Sequence, residues 1–182
     1  WASLAPSWVA EFKGLDKGRM VAALKAVGFA GVSETALGAQ EVSAACAAML
    51  SVSEPRLYIS TACPSVVELV QRYRPEHAAH LTPLLSPMGA HAKLLRRAFG
   101  DDIGVVFIGP CIAKKHESDL RPELVNVAAT FEGIRQVFER HGIDPYAVVP
   151  GPEDTFRPED CQDGGFYAMD GGMLRGVEAR LQ

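Results

Sequence analysis

The chain has 182 residues, 48% of them hydrophobic and 22% charged, with a formal net charge of −4. That length accommodates one sizeable core. The composition is that of a soluble globular protein, without the clustered basic surface of a nucleic-acid footprint, an apolar run near the roughly 20 residues of a membrane span or a signal-peptide pattern.

The opening WASLAPSWVAEF is a short apolar segment with Pro6 after small residues, and its lack of a methionine is expected of a segment excised from a longer chain. GLDKGRMVAALKAVGFAGV predicts a helix, with Met20, Val21, Leu24 and Val27 at helical spacing and Gly28 at the C-cap. FAGVS reads as a short strand, TALGAQEVSAACAAML as an Ala-rich helix and PRLYIST as a strand of aromatic and branched residues. PSVVELVQRYRPE places Pro64 in a first helical turn and predicts a stop before Pro75. SPMGAHAKLLRRAFG repeats that design from Pro87 to Gly100. DIGVVFIGP is an apolar run of strand length, suited to burial on both faces, and LVNVAAT a further strand. TFEGIRQVFERHGI predicts a helix capped by Thr130, residues 144–170 a loop rich in Pro, Gly and Asp, and DGGMLRGVEARL a closing helix. Strands alternating with helices predict an α/β fold with a largely parallel sheet.

The four cysteines, Cys46, Cys63, Cys111 and Cys161, are widely spaced. In a chain that is neither small nor cysteine-dense this suggests a reducing, cytoplasmic setting, where cysteines pack, bind metals or act as nucleophiles. Cys63 in STACPSVVELV and Cys111 in GPCIAKK each follow a predicted strand, at the carboxyl end where α/β sheets place their ligands. Cys63 also precedes a helix, whose amino end favours a thiolate. Lys114 adds positive charge or hydrogen-bond donors for an anionic group. The plain alternative for any cysteine is packing in the core. It is preferred for Cys46, at helical spacing from Val42 and Met49. For Cys161 in EDCQDGG a solvent-facing loop thiol is expected, with adventitious ligation as its rival. The histidines form no H-x-x-x-H pattern, and His116 and Glu117 are expected on the solvated surface.

Four blocks, TACP, SPMGAHAKLL, GPCIAKKHESD and DGGMLR, occur in an order that resembles the large-subunit catalytic domain of iron-only (FeFe) hydrogenases. There the blocks read like T-S-C-C-P, K-S-P-Q-Q, M-P-C-T-A-K-K and T-G-G-V-M, and LAPS and DKGRMVAALKAVGF also resemble that domain's opening. The resemblance implies two intertwined α/β lobes with mostly parallel sheets, here residues 56–128 and residues 1–55 with 129–182, as a single H-cluster-type domain. It implies that Cys63 and Cys111 are two of four ligands to a 4Fe-4S cubane, one ligand of which bridges to a di-iron centre. Lys114 falls on the lysine that hydrogen-bonds a cyanide of that centre, and Ser86 and Pro87 on a loop lining its pocket. Attached ferredoxin-like or signalling domains are the implied partners, with no nucleic acid and no membrane.

The departures from the pattern change the functional expectation. At the position of the proton-relaying cysteine stands Ala62, and alanine has no proton to give, where general acid–base transfer contributes about 10²–10⁴-fold to a rate. Ala45 and Ala48 align with glutamates of the proton path, Gly109 with a methionine and Met88 with a glutamine. The family's last two ligands lie in a C-x-x-x-C element beyond Gln182, so the segment is expected to be largely apo. The expectation is hydrogen or redox sensing with little turnover. Its rivals are a working hydrogenase with another proton route, a cysteine-dependent enzyme using Cys63, and a structural partner-binding domain.

Overall fold

A computed structural model describes residues 1–52, 54, 56–158 and 164–181. Four short strands form one all-parallel sheet: β1 Ala2–Leu4, β2 Val32–Glu34, β3 Val106–Ile108 and β4 Val127–Ala129, in the order β2-β1-β3-β4. Leu4 is in register with Glu34 on one side and Ile108 on the other, and Ile108 with Ala129. All four carboxyl ends therefore share one edge. The opening segment thus supplies the central strand, and its pairing with β3 joins residues 1–55 to residues 56–128 in the same sheet.

Eight helices accompany it among the described residues: α1 Trp8–Glu11, α2 Lys17–Val27, α3 Ala36–Val52, α4 Pro64–Tyr73, α5 Pro87–Phe99, α6 Ala113–Leu120, α7 Phe131–Arg140 and α8 Gly172–Glu178. Their ends follow local chemistry. The Asp16 carboxylate accepts the Arg19 amide at 2.9 Å, and Thr130 accepts that of Gly133 at 3.1 Å. Gly28 closes α2 with φ of 118°, a conformation only glycine adopts freely. Pro64 and Pro87 occupy first turns, where the missing N–H costs nothing.

Leu4, Trp8, Met20, Leu24, Leu95 and Ile108 are almost wholly buried at the centre of the core, each stabilising the fold by about 1.5–3 kcal/mol. Two fully buried strand residues, Ser3 and Ser33, are polar. They are satisfied by His91 of α5, whose Nδ1 lies 2.7 Å from Ser3 Oγ and whose Nε2 lies 2.8 Å from Ser33 Oγ. Ser3 Oγ also meets Thr35 Oγ1 at 2.8 Å.

Two expectations from the sequence are corrected. Of PRLYIST, the described residues 56–61 form no sheet strand and contribute one bridge, Ile59 to Leu81. Residues 113–120, read as part of a motif rather than as an element, form α6. That helix is polar along its length, and the residues it buries are Lys114 and Ser118, so no apolar period announces it. Among the described residues no helix is long and apolar enough to cross a membrane.

Candidate functional site

After β3 the chain passes Gly109, Pro110, Cys111 and Ile112 before entering α6. The turn is tight, with the Gly109 amide on the Ala129 carbonyl at 3.1 Å and the Lys114 amide on the Cys111 carbonyl at 3.2 Å. The Cys111 thiol and the Ile112 side chain are left exposed. A Cβ at Gly109 would stand 2.6 Å from the Phe107 ring and 2.9 Å from Ala5 Cβ. The methionine expected there by resemblance has no room.

One turn of α6 brings Lys114 and Glu117 together, Nζ to Oε2 at 2.6 Å. The ammonium, nine-tenths buried as a residue, also donates to the Ala62 carbonyl at 3.2 Å. Glu117 uses its other oxygen to accept from Ser86 Oγ, the buried N-cap of α5, which in turn accepts the Gly89 amide. Glu117 is therefore not the solvated surface carboxylate that the sequence suggests. The signal for it was its i+3 spacing from Lys114. His116 matches its solvated expectation, half exposed and 3.7 Å from Glu68.

Cys63 is the N-cap residue of α4, with its carbonyl accepting the amides of Val66 and Val67 and its thiol exposed. Its loop is tied on both sides. Thr61 Oγ1 donates to the Leu84 carbonyl at 2.7 Å and meets Thr82 Oγ1 at 2.9 Å. Ser60 Oγ accepts the Ala62 amide and donates to Met173 Sδ at 3.1 Å. Lys114 thus links the TACP and PCIAKK blocks directly, the adjoining Ser60 reaches DGGM, and the Ser86–Glu117 bond adds SPMG. A cavity of about 610 Å³ lies beside this cluster, lined by Thr61, Thr82, Ser86, Glu117, Lys93 and Arg121 among others.

The remaining positions divide clearly. Pro87 begins α5 beside Ser86, and Met88, at a glutamine position of the resemblance, is 1% exposed and fills the core. Ala62 and Ala45 are half-buried and Ala48 is exposed. Cys46 packs with Ala47 and Val177, and burial pushes its thiol up. Cys161 lies outside the described residues. Cys46, Cys63 and Cys111 are free thiols, and no group of three or more His, Cys, Asp or Glu side chains among the described residues is placed to hold a metal ion.

Chemically, the arrangement offers two accessible thiols on loops held together by a buried ammonium. Thiolates are the ligands of iron–sulfur clusters, which take four; among the described residues Cys63 and Cys111 are the two exposed ones.

Residues 1–182 match the family model described as iron only hydrogenase large subunit, C-terminal domain. No curated protein matches the chain. Among solved structures it is similar to an FeFe-hydrogenase studied for oxygen inactivation through modification and degradation of its H-cluster 2Fe subcluster, at 20% identity and a TM-score of 0.71, covering 97% of this chain and 52% of that one. HydA(deltaEFG), described in a study of stepwise H-cluster assembly, is 21% identical with a TM-score of 0.71, covering 97% and 51%. A variant of the FeFe-hydrogenase HydA1 from Chlamydomonas reinhardtii is 21% identical with a TM-score of 0.71, covering 97% and 52%. The chain spans about half the length of these structures. At such identity they establish the fold.

Proposed function

Because the chain belongs to the iron only hydrogenase large subunit, C-terminal domain family, we propose that it is an H-cluster-type iron–sulfur domain that senses hydrogen or redox state with little turnover. The observation that carries this reading is Lys114, three residues past Cys111, bonded to the residue before Cys63. It ties the loop that carries Cys111 to the loop that carries Cys63. Cys63 and Cys111 would hold a 4Fe-4S cluster as two of its four thiolate ligands, with the other pair supplied from outside the described residues. Bound there, such a cluster would supply one-electron redox chemistry, and a di-iron centre would supply the hydrogen-reactive group.

This chain's own residues set the limits of that chemistry. Lys114 keeps a positive charge beside the thiol loops, with Glu117 fixing its direction and Ser86 fixing Glu117. Ser86 and Pro87 would form the wall of the pocket. The Ala62 methyl holds no transferable proton beside Cys63, which removes the short acid–base step on which fast turnover depends. A site that binds its group and exchanges protons slowly is suited to reporting rather than to flux. Attached ferredoxin-like or signalling modules would read its state, in a cytoplasmic, reducing setting where free thiols persist.

The test is anaerobic reconstitution of the protein at its full native length with iron and sulfide, followed by iron analysis, EPR and hydrogen-evolution assays. Iron uptake is expected to fall in Cys63→Ser and in Cys111→Ser, and turnover of the unaltered protein to lie about 10²-fold or more below that of a relay-containing hydrogenase. Iron content indifferent to both serines defeats the cluster assignment. Turnover equal to such a hydrogenase defeats the sensing role.

A further inference from the structure

The segment Pro75–His80, PEHAAH, forms a 3-10 helix between α4 and the bridge at Leu81. Three residues complete a turn of such a helix, so side chains at i and i+3 eclipse one another. His77 and His80 therefore stand on one edge, their ring centroids 6.0 Å apart and their planes at 38°. An ion bonded to one nitrogen of each ring at the usual 2.0–2.1 Å would hold the centroids at most about 6.4 Å apart. The angles of about 90–110° that copper and zinc favour at the ion would set the centroids about 4.5–5.2 Å apart. The rings therefore close by about 1 Å from the observed 6.0 Å to share one ion, a movement within side-chain rotation.

We propose that His77 and His80 form a chelate for a borderline divalent cation such as Zn²⁺ or Cu²⁺, separate from the cysteine loops. Imidazole suits these ions, and both rings are accessible, His77 exposed and His80 half-buried. The backbone beneath them is already fixed. The His77 amide donates to the Arg74 carbonyl at 2.9 Å, and the His80 carbonyl accepts the Ile59 amide at 2.8 Å. A preformed turn lowers the ordering cost of binding. Glu76 lies on another edge of the turn, one residue from His77, so the two rings are the donors the segment offers, and the Arg74 guanidinium directs Nη1 to the Tyr73 carbonyl. The H-x-x-x-H spacing proper to an α-helix does not detect this pair, because the segment winds more tightly.

The full chain, with its exposed thiols capped by iodoacetamide to remove competition, is titrated with Cu²⁺ and separately with Zn²⁺. Ring resonances are followed by NMR and the copper centre by EPR. The signals of His77 and His80 are expected to respond before those of His116 and His141, with copper bound by two nitrogens and more tightly than zinc. His77→Ala and His80→Ala should each weaken copper binding by about tenfold or more. A response of His77 and His80 no earlier than the other histidines, or unchanged affinity in either variant, overturns the assignment.

Discussion

The Lys114 ammonium lies 3.2 Å from the Ala62 carbonyl, so the loop carrying Cys111 and the loop carrying Cys63 are joined through one buried charge. Glu117 neutralises that charge and accepts from Ser86 as well. Glu117→Ala would leave a buried ammonium without its anion and a buried hydroxyl without its acceptor. The expected loss is about 1–3 kcal/mol. Glu117→Gln keeps an oxygen and should lose less. Urea midpoints of the two variants rank them; an alanine variant as stable as the parent would show that the clamp contributes nothing.

A second prediction concerns pH. Burial lowers the His91 pKa from 6.5 to about 3, and both ring nitrogens are engaged by serine hydroxyls. Between these two values the unfolded chain takes up a proton that the native one refuses. Stability therefore declines as pH falls through that window, with a slope approaching about 1.4 kcal/mol per pH unit. Asp154 acts in the same direction at lower pH, since hydrogen bonds from Lys25 and the Gly151 amide hold its carboxyl below the usual range. Its contribution is complete above the ordinary carboxylate value and is lost as pH falls through the lower folded one. Urea midpoints measured from about pH 8 to about pH 4.5 isolate the histidine. His91→Gln is expected to flatten that dependence. An equal slope in the variant would assign the effect elsewhere.

Much of this is legible in the sequence alone. Gly28 and Thr130 announce helix ends through a left-handed turn and a side-chain cap, and both effects are local. The family resemblance was legible in Cys111 and Lys114, which sit in one short block. The central strand was not, because Ala2–Leu4 is too short to show alternation and its middle residue is a serine. That serine makes sense only once His91 of α5 arrives beside it. Glu117 was hidden for a similar reason: its spacing fits a solvated pair with Lys114, and the Ser86 hydroxyl that meets it, like the Ala62 carbonyl that meets Lys114, is a tertiary fact. PRLYIST erred in the opposite sense, with strand-favouring residues but no neighbouring strand to pair with.

Helices α3 and α5 meet at Gly38, where an added Cβ would lie 2.6 Å from the His91 amide nitrogen and closer still to the Pro87 carbonyl. Replacing a helical glycine by alanine ordinarily gains up to about 1 kcal/mol in helix propensity, and Gly38 stands in the first turn of α3. Here the obstacle is backbone, which cannot rotate away, and forced separation costs about 1–3 kcal/mol or more. Gly38→Ala is expected to be destabilised in thermal melts despite the better helix former. A raised melting temperature would mean that the helices are free to part.

The last prediction separates two departures from the hydrogenase pattern that look alike in sequence. Ala62 already carries a Cβ and is half-buried in a loop, so Ala62→Cys adds one sulfur without moving the backbone. Its stability should stay within about 0.5 kcal/mol of the parent. At Gly109, by contrast, the first added carbon meets the Phe107 ring and Ala5, both packed against the sheet. Gly109→Ala should cost about 1–3 kcal/mol through overpacking, and Gly109→Met more. The relay cysteine is thus restorable one residue at a time, whereas the methionine requires Phe107 to be reduced with it. A Phe107→Ala, Gly109→Met double variant more stable than Gly109→Met alone would show that the ring is the obstacle. Additive losses would place the obstacle in the turn itself.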